Sequence, residues 1–248
     1  MIEARDVGVA LSGKRIVSDV DFEIRPGEMA AIVGPNGSGK TTFLKALSGD
    51  LPYRGSISLN GRELSTLKPW AAAAMRAVLP QATALSFPFT VREVVKLGLL
   101  GGRSGALAGE QERLPERALA RVDLDGFGGR FYQELSGGEQ QRVQLARVLC
   151  QVWAPVLEGR PRYLFLDEPV SSLDIKHQLI IMNIAREFAR RGGGVVAVAF
   201  QMGQVLGRPG GCRPFRPAQL RHRGAIADEA GQGLTPAGHR GVLVGGVD

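Results

Sequence analysis

An eight-residue stretch rich in glycine has the spacing of a loop that binds phosphate groups. It comprises Gly34, Pro35, Asn36, Gly37, Ser38, Gly39, Lys40 and Thr41, which fit the pattern G-x-x-x-x-G-K-[ST]. In such a loop, unpaired backbone N–H groups and the positive end of a helix dipole attract polyphosphate. Lys40 would reach the β- and γ-phosphates, and Thr41 would offer its hydroxyl to Mg²⁺. With Thr42 as a further contact, the stretch predicts a nucleotide site.

Two adjacent carboxylates follow a short apolar run elsewhere in the chain. Asp167 and Glu168 come directly after residues 163–166, which predict a buried strand. In open α/β sheets, ligands bind at the carboxyl ends of the strands. Asp167 would help to hold Mg²⁺, directly or through water, and Glu168 would polarise the attacking water. Alone, the pair would indicate only an acidic turn, but the phosphate-binding loop favours the catalytic interpretation.

A third stretch combines a serine with two glycines at the predicted start of a helix. Ser136, Gly137 and Gly138 would present a hydroxyl and exposed backbone N–H groups to an anion. A second interpretation is an ordinary helix start, because Ser136 and Glu139 have the spacing of a capping box. The two interpretations are compatible.

These candidate residues lie on a chain in which strand and helix patterns alternate. Residues 2–24 predict antiparallel strands, and further strands are expected at 29–33, 55–59, 77–79, 163–166 and 195–199. Helices are expected at 41–48, 70–75, 91–100, 116–122, 138–150 and 175–190. Strand signals fade between residues 82 and 149, which indicates a helical insertion. The order predicts an α/β fold with a mostly parallel core sheet covered on both faces.

Length, charge and cysteine content limit the classes of protein to which this chain can belong. The chain has 248 residues, a formal net charge of +7 and two widely separated cysteines, Cys150 and Cys212. No stretch approaches the roughly 20 apolar residues of a transmembrane helix, and we expect no signal peptide. The cysteine spacing favours a reducing cytosol over a disulfide framework. Because aromatic residues are not interleaved with the arginines, we do not expect nucleic acid as a partner.

The motifs occur in an order that resembles the ATP-binding subunits of ABC transporters, which are P-loop NTPases. The resemblance covers residues 2–199 and rests on residues 34–41, Gln81, 135–140, 164–168 and 171–174. It implies an ABC ATP-binding domain over 2–199, with an N-terminal antiparallel β subdomain and a helical subdomain at about 82–149. Within the family, stretches 135–149, 151–153 and 167–178 most resemble the ATPase of bacterial haemin importers, relatives of the iron-siderophore and cobalamin group.

The resemblance implies an ATP-hydrolysing subunit that uses ATP and Mg²⁺ to drive haemin import. A homodimer would hold ATP between the phosphate-binding loop of one chain and residues 136–138 of the other, with Asp174 also at the nucleotide. Gln81 would sense the γ-phosphate and Mg²⁺. Residues 86–98 would receive a membrane permease, which would work with a periplasmic haem-binding protein. The chain would then lie at the cytoplasmic face of the bacterial inner membrane.

Two positions depart from the family pattern. Residues 9–16 contain no aromatic side chain that could stack on adenine, and Leu11 is the nearest candidate. Phe200, followed by Gln201, stands where the family has a His-Asp pair whose histidine contacts the γ-phosphate.

Residues 200–248 form an atypical tail rich in glycine, proline and arginine, in which no closing strand is recognisable. We favour a reading-frame shift near codon 199 over a divergent, functional tail. Three alternatives to the haemin ATPase stay open: an ATP-binding subunit with impaired catalysis, an importer ATPase for iron-siderophore or cobalamin, and a soluble ABC ATPase that acts on nucleic acid or ribosomes.

Overall fold

The computed structural model describes residues 1–81, 85, 87–101, 103–170, 173–199 and 243–247. In these residues the strands are β1 (Ile2–Leu11), β2 (Lys14–Ile24), β3 (Met29–Val33), β4 (Arg54–Leu59), β5 (Arg62–Glu63), β6 (Arg76–Leu79), β7 (Val156–Leu157), β8 (Arg160–Pro161), β9 (Tyr163–Asp167), β10 (Gly194–Ala199) and β11 (Leu243–Val247). The helices are α1 (Lys40–Ser48), α2 (Pro69–Met75), α3 (Val91–Lys96), α4 (Leu114–Arg121), α5 (Gly137–Gln151) and α6 (Ile175–Arg190).

The N-terminal part of the chain forms an antiparallel sheet with the strand order β2-β1-β4-β5. Alternating apolar side chains such as Ile2, Ala4, Phe22 and Ile24 are buried on one face, as a half-buried sheet requires. This confirms the antiparallel strands expected over residues 2–24.

The core sheet has the strand order β11-β3-β10-β9-β6, and β3, β10, β9 and β6 run parallel. Successive side chains of β9 enter two different apolar clusters: Leu164 and Leu166 pack with the helical insertion and α6, whereas Tyr163 and Phe165 pack with α1 and the N-terminal sheet. Both faces are therefore covered, which explains the unbroken apolar runs of these strands.

The part of the chain between β6 and β9 is mainly helical, as the sequence predicts. Thr90 begins α3 with a capping box closed by Glu93. The predicted helix 91–100 is shorter in the structure, where α3 ends at Lys96 and a 3₁₀ turn covers residues 97–99. A Cβ atom on Gly98 would meet the Arg147 carbonyl oxygen at 2.1 Å, so this turn packs against the backbone of α5. The domain limits of 2–199 and 82–149 stay predictions.

A buried arginine joins this insertion to the core sheet. Arg162, just before β9, donates hydrogen bonds to the carbonyl oxygens of Ser104 at 2.9 Å, Gln151 at 3.3 Å and Arg103. Burial lowers the pKa of Arg162 to about 10, and the nearby charge of Arg103 adds to the decrease. Among the described residues, no helix is long and apolar enough to cross a membrane.

Two short elements were missed by the sequence prediction. The hairpin of β7 and β8 turns at Glu158 and Gly159, which have φ angles of 51° and 72°, but two-residue strands are too short to show alternation. The strand β11 pairs antiparallel with β3 inside the tail, where no closing strand was recognisable. Two glycines, Gly245 and Gly246, break its apolar pattern.

Candidate active site

The carboxyl ends of the four parallel strands meet at one edge of the core sheet. Val33 is aligned with Ala199, Val198 with Asp167, and Leu166 with Leu79. The residues that follow these strands in the chain therefore start beside one another. They include the phosphate-binding loop, Gln81 and Glu168, all of which the sequence predicts to serve one site.

The phosphate-binding loop has a backbone that favours glycine. Gly37 and Gly39 have φ angles of 76° and 90°, which lie in the left-handed region. A Cβ atom on Gly39 would lie 3.1 Å from the Ile16 carbonyl oxygen, so β2 borders the loop closely. A larger residue at this position would therefore require β2 or the loop to shift by a few tenths of an ångström.

Several polar groups of the loop are poised for an anion. Gly39 caps α1 without a side-chain hydrogen bond, so the first N–H groups of the helix lack a side-chain acceptor. The buried Ser38 hydroxyl has no partner among the described residues. Lys40 is buried and its Nζ donates to the Pro35 carbonyl oxygen at 3.0 Å. These donors fit the phosphate groups of ATP.

A hydroxyl and a carboxylate meet next to this loop. Thr41 Oγ1 donates to Asp167 Oδ1 at 2.9 Å, although the two residues are far apart in sequence. Asp167 is only 3% exposed. Burial raises the pKa of Asp167, and the hydrogen bond from Thr41 opposes that increase. Two hard oxygen donors beside a phosphate site fit Mg²⁺, which binds through few protein ligands plus phosphate oxygens.

Glu168 lies beyond the end of β9 in an unusual backbone conformation. Its φ angle is 47°, and its N–H donates to the Val198 carbonyl oxygen at 3.1 Å. Gln81 Nε2 donates to Glu168 Oε2 at 2.9 Å. Gln141 Nε2, from α5, donates to the Glu168 carbonyl oxygen at 3.3 Å. The two residues predicted to be catalytic, Gln81 and Glu168, are thus in direct contact.

The predicted second anion site is an exposed helix start. Ser136 and Glu139 form a complete capping box, in which Ser136 Oγ donates to Glu139 Oε2 at 2.7 Å. Ser136 and Gly137 are exposed, and Gly138 is half-buried. Among the described residues, no hydrogen bond joins residues 136–138 to the phosphate-binding loop of the same chain. The capping interpretation is confirmed, and the anion-binding one stays a prediction.

Asp174 caps α6 and takes part in a charged cluster. Its Oδ1 accepts from the His177 N–H at 2.9 Å, and its Oδ2 lies 2.8 Å from His177 Nδ1. The other ring nitrogen of His177 lies 3.3 Å from Asp123 Oδ2, which also accepts from Lys176 at 2.6 Å. The cluster links the start of α6 to the chain after α4.

The structure brings together most of the predicted residues and adds one. Lys40, Thr41, Asp167, Glu168 and Gln81 meet at the sheet edge. Gln141 was missed because only the fold shows that its side chain is buried against Glu168. Leu11, the candidate for adenine contact, is exposed at the end of β1. Phe200 lies outside the described residues.

Known proteins contain the same arrangement of motifs. The family model described as ABC transporter matches residues 17–171 of this chain. The chain belongs to the ABC transporter family. As an ABC ATP-binding subunit it binds and hydrolyses ATP and associates with a membrane permease.

Individual relatives of this ABC ATPase extend the comparison. The hemin import ATP-binding protein HmuV of Mesorhizobium japonicum is 82% identical over 198 residues, which cover 80% of this chain and 75% of that protein. The hemin import ATP-binding protein HmuV of Rhizobium meliloti is 56% identical over 229 residues, 92% of this chain and 87% of that protein. A solved structure of the ATP binding subunit of an ABC transporter superposes with a TM-score of 0.70 at 25% identity, covering 82% of this chain and 80% of that one.

Proposed function

We propose that this chain is the ATPase subunit of a haemin importer and couples ATP binding and hydrolysis to transport through its permease. The observation that carries the proposal is the meeting of Lys40, Thr41, Asp167 and Glu168 at one sheet edge. The choice of haemin over iron-siderophore or cobalamin is supported by the two relatives named for hemin import.

Each group at the sheet edge has a task in phosphoryl transfer. Mg²⁺, when bound, neutralises charge on the phosphates. Thr41 and Asp167 would hold it, together with Gln81. The phosphates would be bound by the Ser38 hydroxyl, the backbone of residues 34–39 and Lys40, which would exchange the Pro35 carbonyl for a phosphate oxygen. Glu168 would orient the attacking water and accept its proton.

A second copy of the chain would complete each site. The N-terminus of α5 is exposed and presents Ser136, Gly137 and Gly138, while Asn36 and Gly37 of the phosphate-binding loop are exposed as well. In a head-to-tail homodimer these two surfaces would enclose ATP, and Asp174 and Thr42 would lie near it. Closure of the dimer would exclude water from the phosphates and strengthen every charge interaction there.

The helical insertion would receive the permease at residues 86–98. In the described part of this segment, Phe87 is exposed and lies edge-to-face with Phe89, with ring centroids 6.3 Å apart. An exposed aromatic side chain such as Phe87 is typical of a protein interface. Binding to the permease would hold the chain at the cytoplasmic face of the bacterial inner membrane, and the permease would receive haem from a periplasmic binding protein.

Glu168→Gln tests the catalytic assignment. The change keeps the side-chain size but removes the base, so we expect kcat for Mg²⁺-dependent ATP hydrolysis to fall roughly a hundredfold or more while ATP binding is retained. Glu158→Gln, in the exposed turn of the β7–β8 hairpin, is the control. Undiminished hydrolysis by Glu168→Gln would remove Glu168 from its role.

Growth of the source bacterium tests the transported substrate. A strain that lacks the gene should lose growth with haemin as its iron source and keep growth with iron-siderophores and cobalamin. Complementation with the parent gene should restore growth on haemin, and complementation with Glu168→Gln should not. Loss of growth on a siderophore instead would overturn the haemin assignment.

A second candidate function is supported by Phe200 and the tail. A chain without the γ-phosphate histidine would bind ATP normally but turn it over slowly. ATP binding with turnover no higher than that of Glu168→Gln would favour this candidate.

A further inference from the structure

Glu168 has a backbone conformation that is sterically unfavourable for a residue with a side chain. Its φ angle of 47° lies in the left-handed region, which is unfavourable for a residue with a Cβ atom. The following residue, Pro169, further restricts the backbone before it. Such strain persists only when surrounding contacts impose it, and it is concentrated at functional sites.

The hydrogen bonds that hold Glu168 in this conformation come from three different parts of the chain. The Glu168 N–H is bound by the Val198 carbonyl of β10, and its carboxylate by Gln81, which follows β6. Its carbonyl oxygen is bound by Gln141 of α5. The first two partners follow from the parallel sheet, whereas the third joins Glu168 to the helix that begins at Ser136.

The buried side chain of Gln141 is unfavourable for the stability of the folded protein. It is 9% exposed, and its Oε1 has no partner among the described residues. A buried amide oxygen without a hydrogen-bond partner destabilises the fold, because it has lost its hydrogen bonds to water. The same helix also buries the polar residues Arg142 and Gln144, which make other hydrogen bonds, and the apolar residues Val143 and Leu145. The feature that an apolar residue would lack is the hydrogen bond to Glu168.

We propose that Gln141 is a positioning residue that fixes the Glu168 backbone, and with it the carboxylate, relative to the start of α5. The inference rests on the proposed role of Glu168. Because Gln141 lies five positions after Ser136 on one rigid helix, a shift of the Ser136 end of α5 would be transmitted directly to Glu168. The side chain contacts the backbone of the catalytic residue and not the phosphate-binding loop. Its loss should therefore affect the chemical step more than ATP affinity.

Gln141→Met removes the amide donor and keeps the length of the side chain. Gln144→Met is a matched control, because Gln144 lies on the same helix, is 4% exposed, also has an unpartnered Oε1, and donates to the Tyr132 hydroxyl instead, at 3.0 Å. Both variants, Glu168→Gln and the parent are purified and compared for kcat and KM of Mg²⁺-dependent ATP hydrolysis, for ATP affinity, and for thermal stability.

We expect Gln141→Met to lower kcat about tenfold to a hundredfold, as for a small misplacement of a reacting group, with KM nearly unchanged. Gln144→Met should melt at a similarly altered temperature and keep the parent kcat. Equal kcat values for Gln141→Met and the parent, with Glu168→Gln inactive, would overturn this inference and leave the proposed function intact. Active turnover by the parent that is undiminished in Glu168→Gln would overturn the catalytic role of Glu168, and the role of Gln141 with it. A kcat loss shared by both methionine variants would show that general packing is responsible and would also overturn the inference.

Discussion

Two glycines with the same backbone torsion have very different surroundings. Gly27 and Gly39 have φ angles of 89° and 90°. Around Gly27 there is open space, whereas a Cβ atom on Gly39 would approach the Ile16 carbonyl oxygen to 3.1 Å and Val17 Cγ2 to 3.3 Å. A comparison of Gly27 with Gly39 therefore distinguishes two contributions to the free energy of unfolding: the left-handed backbone conformation, which both share, and steric crowding, which only Gly39 has.

Gly27→Ala should lower the free energy of unfolding by about 1–2 kcal/mol, the cost of a left-handed alanine. Gly39→Ala should lower it further, because β2 or the loop must move, and it should also weaken ATP binding. Urea unfolding and titration with ATP measure the two effects. Equal losses of stability, with ATP affinity unchanged in Gly39→Ala, would contradict the crowding seen at Gly39.

At the scale of single residues, motif spacing predicts which side chains lie together at the edge of the core sheet, and their functional roles stay predictions. The phosphate-binding loop, Asp167 and Glu168 could be identified because the residue types and their order are characteristic. Gln141 could not, since its contact depends on which side of α5 faces β9. The conformation of Glu168 was equally inaccessible, because it is imposed by neighbouring strands.

At the scale of elements, a charged cluster ties the chain after α4 to the start of α6. Asp123 accepts from Lys176 and lies near His177, and His177 also contacts Asp174. The hydrogen bond from Lys176 lowers the pKa of Asp123, and the His177 backbone N–H lowers that of Asp174. Both carboxylates therefore stabilise the fold more when they are ionised than when they are protonated.

Asp123→Asn should destabilise the protein at pH 7, and the difference from the parent should shrink on acidification. A carboxylate whose pKa is depressed by folding contributes stability above its unfolded value of 3.8, and that contribution is lost as the pH falls through the folded value. The effect should be small, as for exposed ion pairs. Urea midpoints at pH 7 and below pH 3.8 measure it. Asp125→Asn, for which the described residues offer no ion pair, serves as control, and a difference that persists at low pH would argue against the cluster.

Most elements could be predicted from periodicity, and the exceptions have physical causes. Long amphipathic helices such as α6 match the prediction to the residue, because one apolar stripe determines their extent. The β7–β8 hairpin and β11 could not be found, since strands this short or this rich in glycine depend on pairing partners that are distant in sequence.

At the scale of the whole molecule, the register of the core sheet determines where the unusual tail begins. Ala199 is the last residue of β10 and is aligned with Val33, immediately before the phosphate-binding loop. Adjacent strands lie about 4.8 Å apart, so Ala199 ends β10 beside the residue that precedes the phosphate-binding loop. The match to the Mesorhizobium protein spans 198 residues, whereas the match to the Rhizobium meliloti protein spans 229 residues, or 92% of this chain, and therefore includes part of residues 200–248. The frame shift near codon 199 stays a prediction.

Phe200→His should raise kcat for ATP hydrolysis, by roughly a hundredfold if the histidine stabilises transition-state charge, with little change in ATP affinity. Gln201→His is the control for a histidine placed one residue away. In the gene, another frame should encode a His-Asp pair after Ala199, followed by strand-like sequence. Active hydrolysis by the parent that Phe200→His leaves unchanged, together with the absence of such a frame, would favour a divergent, functional tail.

Arg162 gives the helical insertion a fixed end. Its single guanidinium binds carbonyls from both the loop at Arg103–Ser104 and the last turn of α5, at the end of the sheet opposite the phosphate-binding loop. The contacts at the nucleotide end, through Gln81 and Gln141, are single hydrogen bonds to Glu168. The helical insertion is therefore attached to the core sheet at both edges, by Arg162 at one edge and by the Gln141–Glu168 contact at the other. Between these two polar contacts lies the apolar cluster that contains Leu164 and Leu166 of β9.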